Sequence, residues 1–122
     1  MKTEKGLILI SHGSRVKKAA EEMEQLVRQL QQKLQAYSVK EAYMEIQEPD
    51  LKMTIESFVE EGVKVIDVLP LFFFEGRHMR DDIPAQVSEC QEKFADCEIR
   101  LLPYIGSTEA FANALVESVL TL

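Results

Sequence analysis

The sequence predicts an α/β fold with a single four-stranded parallel sheet, helices on both faces and flavodoxin-type layering. Short apolar runs alternate four times with amphipathic helical patterns, which is typical of βα units. The runs Leu7–Ile10 and Val63–Leu69 are almost continuously apolar, as strands of a buried parallel sheet are. The 122 residues, of which 46% are hydrophobic, suit one domain spanning residues 1–122 with a core of its own.

Apolar runs and apolar periodicity place each element. The predicted strands are β1 at Gly6–Ser11, β2 at Glu41–Ile46, β3 at Val63–Leu69 and β4 at about Cys97–Leu102. The predicted helices are α1 from Val16 to Leu34, α2 from Pro49 and Asp50 to Gly62, α3 at about Asp82–Phe94 and α4 from Gly106–Glu109 onward, with an apolar stripe of Phe111, Leu115, Val119 and Leu122. Ser14 is the expected N-cap of α1, and Pro84 is tolerated in the first turn of α3.

The two histidines of the chain both follow a predicted strand. His12 comes directly after β1, and His78 lies in the long loop Pro70–Pro84 after β3. Glu45, at the end of predicted β2, and Tyr104, after β4, fall on the same edge of the sheet, where open α/β folds bind ligands. A lone histidine there is more often structural, but two of them favour a metal site or acid–base chemistry, with Glu45 holding a cation or accepting a proton.

Residues that could bind a substrate surround these histidines. Phe72, Phe73 and Phe74 cannot all enter one core from an extended segment, so at least one should face a cleft or a partner. Glu75-Gly76-Arg77 also has a purely structural interpretation as a turn in which Gly76 supplies a positive φ. Basic residues near both loops could form a local patch for an anionic ligand, with Ser14 and the start of α1 also able to receive an anion: Arg15, Lys17, Lys18, Arg77 and Arg80.

Composition excludes several classes of function. The net charge of −7 and the absence of a basic run argue against nucleic acid as a partner. No apolar stretch approaches the roughly 20 residues that span a membrane, and the first residues do not resemble a secretion signal, so we expect a cytoplasmic protein. Cys90 and Cys97 lack the spacing of a disulfide framework or zinc site and are expected to be plain thiols.

Three segments together resemble the small CbiX-type sirohydrochlorin chelatases. They are Ile10–Arg15, Ala42–Glu45 with Pro49, and Leu69–Phe72 followed by Gly76, His78 and Asp82–Pro84. The resemblance implies a chelatase-like fold, similar to half of the two-lobed class II chelatases. It also implies a homodimer whose two domains face each other across a cleft, without a requirement for ATP.

The resemblance further implies insertion of Co²⁺, Ni²⁺ or Fe²⁺ into sirohydrochlorin for tetrapyrrole cofactor biosynthesis, with the metal as a substrate and no permanently bound cofactor. His12 and His78 would be the metal-handling and catalytic pair, assisted by Glu45. The Phe residues would line the face of the macrocycle, and the arginines or Ser14 would meet its carboxylates. Which metal is physiological, and whether the product is used for cobalamin, sirohaem or a nickel tetrapyrrole, stays open.

Two alternatives also stay open. A non-catalytic domain could bind or carry a tetrapyrrole or a metal. A phosphohistidine phosphoryl-transfer enzyme also places a His-Gly pair after its first strand, but Ser11 stands here where such an enzyme would have arginine.

Overall fold

The sheet has four parallel strands in the order β2-β1-β3-β4, which confirms the predicted α/β class. The computed structural model describes residues 5–122 except for the side chain of His78. Its strands are β1 at Lys5–Ser11, β2 at Tyr37–Tyr43, β3 at Val65–Pro70 and β4 at Glu98–Leu101. Its α-helices are α1 at Lys17–Lys33, α2 at Leu51–Glu60, α3 at Ile83–Lys93 and α4 at Glu109–Leu120, with a π-helical turn at His78–Asp82 and a 3₁₀ turn at Ile105–Ser107.

Helices cover both faces of the sheet, as predicted. On one face, Ile8, Ile10, Ile66 and Val68 pack against α2 and α3 around the fully buried Phe58. On the other face, α1 lies against β1 and β2, and its contributions include Met23, Val27 and Leu30. The alternation of faces along β1 explains its continuous apolar run, because a strand buried on both sides has no solvent-facing positions.

The predicted position of β2 was wrong. The strand begins at Tyr37 and ends at Tyr43, so Glu45 lies in the loop beyond the strand rather than at its end. Ile46, which the sequence placed in the strand because it is apolar, has a φ of +75° and is exposed. A strand cannot continue through a residue in that conformation.

The helix starts follow local capping chemistry. The predicted N-cap of α1 was wrong, because the cap residue is Val16 and Ser14 Oγ instead accepts a hydrogen bond from the Val16 N–H at 3.0 Å. Asp50 caps α2 by accepting from the Met53 N–H, and Gly62 takes the expected positive φ after that helix. Thr108 caps α4, so that helix begins at Glu109 rather than within Gly106–Thr108.

Helix α4 buries none of its residues in this chain, contrary to what its apolar stripe suggested. Phe111 stacks on Phe73 with ring centroids 5.1 Å apart. The rest of the helix presents large apolar side chains to solvent: Leu115, Val116, Val119 and Leu120, followed by Leu122. An exposed apolar surface of this kind commonly marks an interface with another molecule.

Candidate functional site at the carboxyl ends of the first and third strands

The strand order creates a crevice between the loops that follow β1 and β3. The chain leaves β1 for β2 on one side and later returns to β3 on the other side, so β1 and β3 flank the point where the order reverses. Open α/β sheets bind ligands outside the carboxyl ends of their strands at such a point. His12 follows β1 and His78 follows β3, so the backbone topology brings both histidine-bearing segments to this crevice edge.

His12 and Glu45 contact each other at this edge. His12 Nε2 lies 2.7 Å from Glu45 Oε1, and both side chains are about half exposed. The two residues meet because Ser11 is paired with Tyr43 at the ends of two adjacent strands, and each functional residue follows its strand by one or two positions. An ionised carboxylate only accepts hydrogen bonds, so this geometry suits an imidazole that donates to Glu45 through an Nε2–H.

Backbone hydrogen bonds join the loop after β1 to the loop after β2. The Met44 N–H donates to Ser11 O at 2.9 Å, and the Glu45 N–H donates to His12 O at 3.1 Å. Gly13 permits this approach, because its φ is +104° and a Cβ there would lie 2.1 Å from Glu45 O. The two loops therefore form one paired segment that carries the imidazole and the carboxylate together.

A recess of about 400 Å³ opens beside His12 on the side of the sheet that α1 covers. Its lining is mainly apolar, with a few polar groups near the histidine: Ser11, His12, Gly13, Ser14, Ala19, Glu22, Met23, Leu26, Tyr43, Gln47 and Leu71. Such a combination is common in sites for small organic ligands. Of the predicted substrate-binding residues among the described side chains, Ser14 alone lines this recess.

The three phenylalanines occupy three different environments. Phe72 is partly buried against the core cluster of α2 and α3, and Phe73 stacks on Phe111 of α4. Phe74 is 83% exposed. Phe73 and Phe74 are thus exposed, whereas the expectation that one of the three faces a cleft or a partner, and their role in binding a substrate, stay predictions.

The basic residues and Gly76 also stay predictions as binding groups. Arg15, Arg77 and Arg80 are solvent-exposed, and Arg80 Nε lies 3.4 Å from Asp81 Oδ1. The predicted positive φ of Gly76 was wrong, and a Cβ on Gly76 would meet nothing within 4 Å, so the loop has open space there. The backbone of His78 begins the π-helical turn, but its side chain lies outside the described part of the structure.

Some residues of the site could not be found from the sequence. Gln47 Oε1 accepts a hydrogen bond from the Ser14 N–H at 2.8 Å, and Met23 and Leu26 of α1 line the recess. A lone glutamine in a loop and two apolar residues on an amphipathic helix carry no pattern that separates them from solvated or core positions. Among the described side chains, no group of three or more His, Cys, Asp or Glu could hold a metal ion.

A second polar cluster lies away from this edge, on β3 and β4. Asp67 is 4% exposed and accepts hydrogen bonds from Arg100 Nε at 2.5 Å and Nη2 at 2.9 Å, and from the Tyr37 hydroxyl at 3.1 Å. The Arg100 hydrogen bonds hold the pKa of the Asp67 carboxyl below its usual range, despite the opposing effect of burial. Each hydrogen-bonding group of Asp67 is satisfied within the sheet, which indicates a structural role.

Comparison with known proteins decides the family. A sequence model of the CbiX family matches residues 6–122. The chain belongs to the CbiX family. This agrees with the resemblance carried by the segments around His12, Glu45 and His78.

Two relatives and one solved structure show how far the similarity extends. The chain is 33% identical over 101 residues to the chloroplastic sirohydrochlorin ferrochelatase of Arabidopsis thaliana, covering 83% of this chain and 45% of that protein. It is 34% identical over 114 residues to the sirohydrochlorin cobaltochelatase of Sulfolobus acidocaldarius, covering 92% and 87%. The sirohydrochlorin chelatase SirB of Bacillus subtilis subspecies spizizenii, solved in complex with cobalt, superposes with a TM-score of 0.82 at 25% identity, covering 98% and 51%.

The chain therefore spans about half the length of several relatives that it matches. The Sulfolobus relative, in contrast, is covered over most of its length. No helix among the described residues is both long and apolar enough to cross a membrane.

Proposed function

We propose that this CbiX family member inserts a divalent metal ion into sirohydrochlorin. The observation that carries the proposal is the 2.7 Å contact between His12 Nε2 and Glu45 Oε1 at the crevice between β1 and β3. Relatives named as sirohydrochlorin ferrochelatases and cobaltochelatases support the substrate and the reaction class. Co²⁺, Fe²⁺ and Ni²⁺ all accept imidazole ligands, so the histidines do not distinguish among them. The metal is a substrate of the proposed reaction, and the assay compares the three ions.

The imidazole–carboxylate pair suits a residue that holds a metal ion. Histidines that bind metals commonly donate their other ring N–H to a carboxylate, which fixes the ring and makes the ligating nitrogen more basic. With Nε2–H donated to Glu45, Nδ1 of His12 is the nitrogen that would bind the incoming cation. We assign His78 as the second metal-handling residue, because its backbone follows the strand on the other side of the crevice.

The same pair also suits proton removal. Insertion of M²⁺ forms bonds to the macrocycle nitrogens and releases two protons from its N–H groups, so the charge balances when both protons leave. After the cation has passed to the macrocycle, His12 Nδ1 can accept one of these protons, and the Glu45 carboxylate stabilises the resulting imidazolium. We assign the second proton to His78 or to solvent.

The macrocycle would lie over the apolar recess beside His12. Leu26, Met23 and Leu71 offer apolar contacts there, and Ser14 also lines the recess. The exposed Arg15, Arg77 and Arg80, together with Phe74, remain proposed contacts for the carboxylates and the ring face.

We further propose that two copies of the chain pair as a homodimer through α4. Leu115, Val116, Val119 and Leu120 are exposed in one copy, and burial of such side chains is favourable. Some relatives are about twice as long as the part that this chain matches, which supports pairing: a second copy of this chain would take the position of the unmatched half of those relatives. The expected cytoplasmic location stays a prediction, since one relative is a chloroplast protein.

Anaerobic absorbance spectroscopy with sirohydrochlorin and Co²⁺, Fe²⁺ or Ni²⁺ tests the reaction. We expect the parent to change the macrocycle spectrum catalytically and His12→Ala to lower kcat/KM by about 100-fold or more, the usual contribution of a positioned acid–base group. Lys33→Ala is the matched control, because Lys33 is the last residue of α1 and lies roughly 25 Å from the start of that helix, the end nearer His12. If His12→Ala turns over as fast as the parent, the assignment of His12 is wrong.

Two further measurements separate the alternatives. Stoichiometric binding of sirohydrochlorin or metal without turnover by the parent would replace the chelatase proposal with a carrier function. Phosphate trapped covalently on His12 in a phosphatase assay would instead support phosphohistidine transfer.

A further inference from the structure

We propose that Gln47 is a positioning residue for metal insertion, acting through Glu45 and the loop that carries His12. This inference rests on the proposed function, because the reaction it serves is the chelation described above. The side chain of Gln47 accepts a hydrogen bond from the Ser14 N–H, two residues beyond His12. Its effect on the reacting groups would therefore be indirect.

The Gln47 side chain completes the pairing of the two loops. The hydrogen bonds from Met44 N–H to Ser11 O and from Glu45 N–H to His12 O join the loops on one side of Gly13. The bond from Ser14 N–H to Gln47 Oε1, 2.8 Å long, joins them on the other side. His12 and Gly13 are thereby held between two fixed points, which limits how far the imidazole can move relative to Glu45.

The backbone between Glu45 and Gln47 is in a conformation that needs such support. The Gln47 N–H donates to Glu45 O at 2.8 Å, which closes a three-residue turn centred on Ile46. Ile46 has a φ of +75°, and a γ-turn with a positive φ is rare and strained, most of all for a β-branched residue. Strained residues persist where the surrounding structure fixes them, often at functional sites.

The strained turn determines where two side chains point. It lets Gln47 reach back to Ser14 while Glu45, two residues earlier, faces His12. Ile46 is 53% exposed, so burial of its side chain does not explain the conformation. Catalytic groups displaced by about 1 Å can lose about 100-fold in rate, so a loosened turn should affect turnover more than substrate binding.

Three variants test this role. Gln47→Met removes the acceptor at similar length, whereas Gln47→Glu retains an acceptor oxygen. Gln31→Met is the matched control, because Gln31 Oε1 also accepts a backbone N–H bond, from Val39 at 2.8 Å, at the amino end of β2 away from the site. We measure kcat and KM for cobalt insertion, thermal unfolding, and amide hydrogen exchange at Ser14 and Glu45.

For Gln47→Met we expect kcat to fall tenfold or more, KM for sirohydrochlorin to stay within about twofold, and both amides to exchange faster. Gln47→Glu should recover most of kcat, and Gln31→Met should lower the unfolding temperature while keeping the parent kcat. The inference is overturned if Gln47→Met keeps the parent kcat, if Gln47→Glu is equally impaired, or if Gln31→Met loses kcat in parallel. Should the parent insert no metal, the proposed function fails, and unchanged exchange at Ser14 and Glu45 in Gln47→Met would separately refute the positioning role.

Discussion

Replacing Gly13 with alanine tests the close approach of the two loops on which the site depends. Gly13 has a φ of +104°, and its Cβ would lie 2.1 Å from Glu45 O and 3.3 Å from Glu45 C. Ordinary van der Waals contact of a Cβ begins at 3.4 Å. The carbonyl oxygen of Glu45 must therefore retreat by about 1.3 Å, from 2.1 Å to 3.4 Å, and Glu45 shifts relative to His12.

The cost has two parts. The positive φ costs about 1–2 kcal/mol for a residue with a Cβ, offset by about 0.4–1 kcal/mol because alanine restricts the unfolded chain. The steric overlap adds about 1–3 kcal/mol, as other forced insertions of a methyl group do. We expect Gly13→Ala to lower the free energy of unfolding by about 2–4 kcal/mol and to lower kcat by at least tenfold.

Gly62→Ala provides the matched control. Gly62 also has a positive φ, of +84°, but a Cβ there would meet nothing within 4 Å, so the variant carries the φ cost without the overlap. Urea unfolding followed by circular dichroism at pH 7, with cobalt insertion by both variants, gives the comparison. Gly62→Ala should lose about 1 kcal/mol and keep the parent kcat. If Gly13→Ala is as stable and active as Gly62→Ala, the loops are not packed as described.

Two further predictions concern stability and assembly. Asp67→Asn should lower the free energy of unfolding at pH 7 by about 1–3 kcal/mol, because it weakens a charge-assisted pair with the half-exposed Arg100. The pKa of Asp67 is lowered in the folded state, so its contribution to stability is complete above the unfolded-state pKa of about 4 and is lost as the pH falls through the folded-state pKa. Urea unfolding should therefore show a smaller difference in unfolding free energy between parent and variant at pH 3 than at pH 7. An equal difference at both pH values would contradict this. Leu120 is 78% exposed, and Leu120→Glu should convert a dimer to a monomer in sedimentation velocity. The control Met53→Glu, on the exposed surface of α2, should sediment like the parent. Equal sedimentation of the two variants would argue against assembly through α4.

Much of the fold could be predicted because burial leaves a strong pattern in the sequence. Leu7–Ile10 is buried on both faces of the sheet, so its unbroken apolar run identified β1 correctly. β2 lies at the edge of the sheet, and its mixture of polar and apolar residues left its bounds ambiguous. The apolar Ile46 extends the strand in the sequence-based prediction, although its backbone conformation belongs to a turn.

The site was only partly predictable, because residue type identifies chemistry better than it identifies position. The imidazole of His12 and the carboxylate of Glu45 were recognisable as reactive groups after strands, and the structure brings them into contact. The hydrogen bond from Ser14 to Gln47 crosses 33 residues of sequence and depends on a turn that no local pattern announces. The apolar stripe of α4 could likewise be predicted from the sequence. Its exposure in one copy could not, because an apolar pattern does not show whether the same chain buries that face.

Anomalous diffraction from crystals of the protein soaked anaerobically with Co²⁺ tests the central claim most directly. We expect a cobalt peak about 2.1 Å from Nδ1 of His12, with Nε2 still hydrogen-bonded to the Glu45 carboxylate. Cobalt bound elsewhere, with no peak near either ring nitrogen of His12, would contradict the assignment of this edge of the sheet as the place where the metal is held.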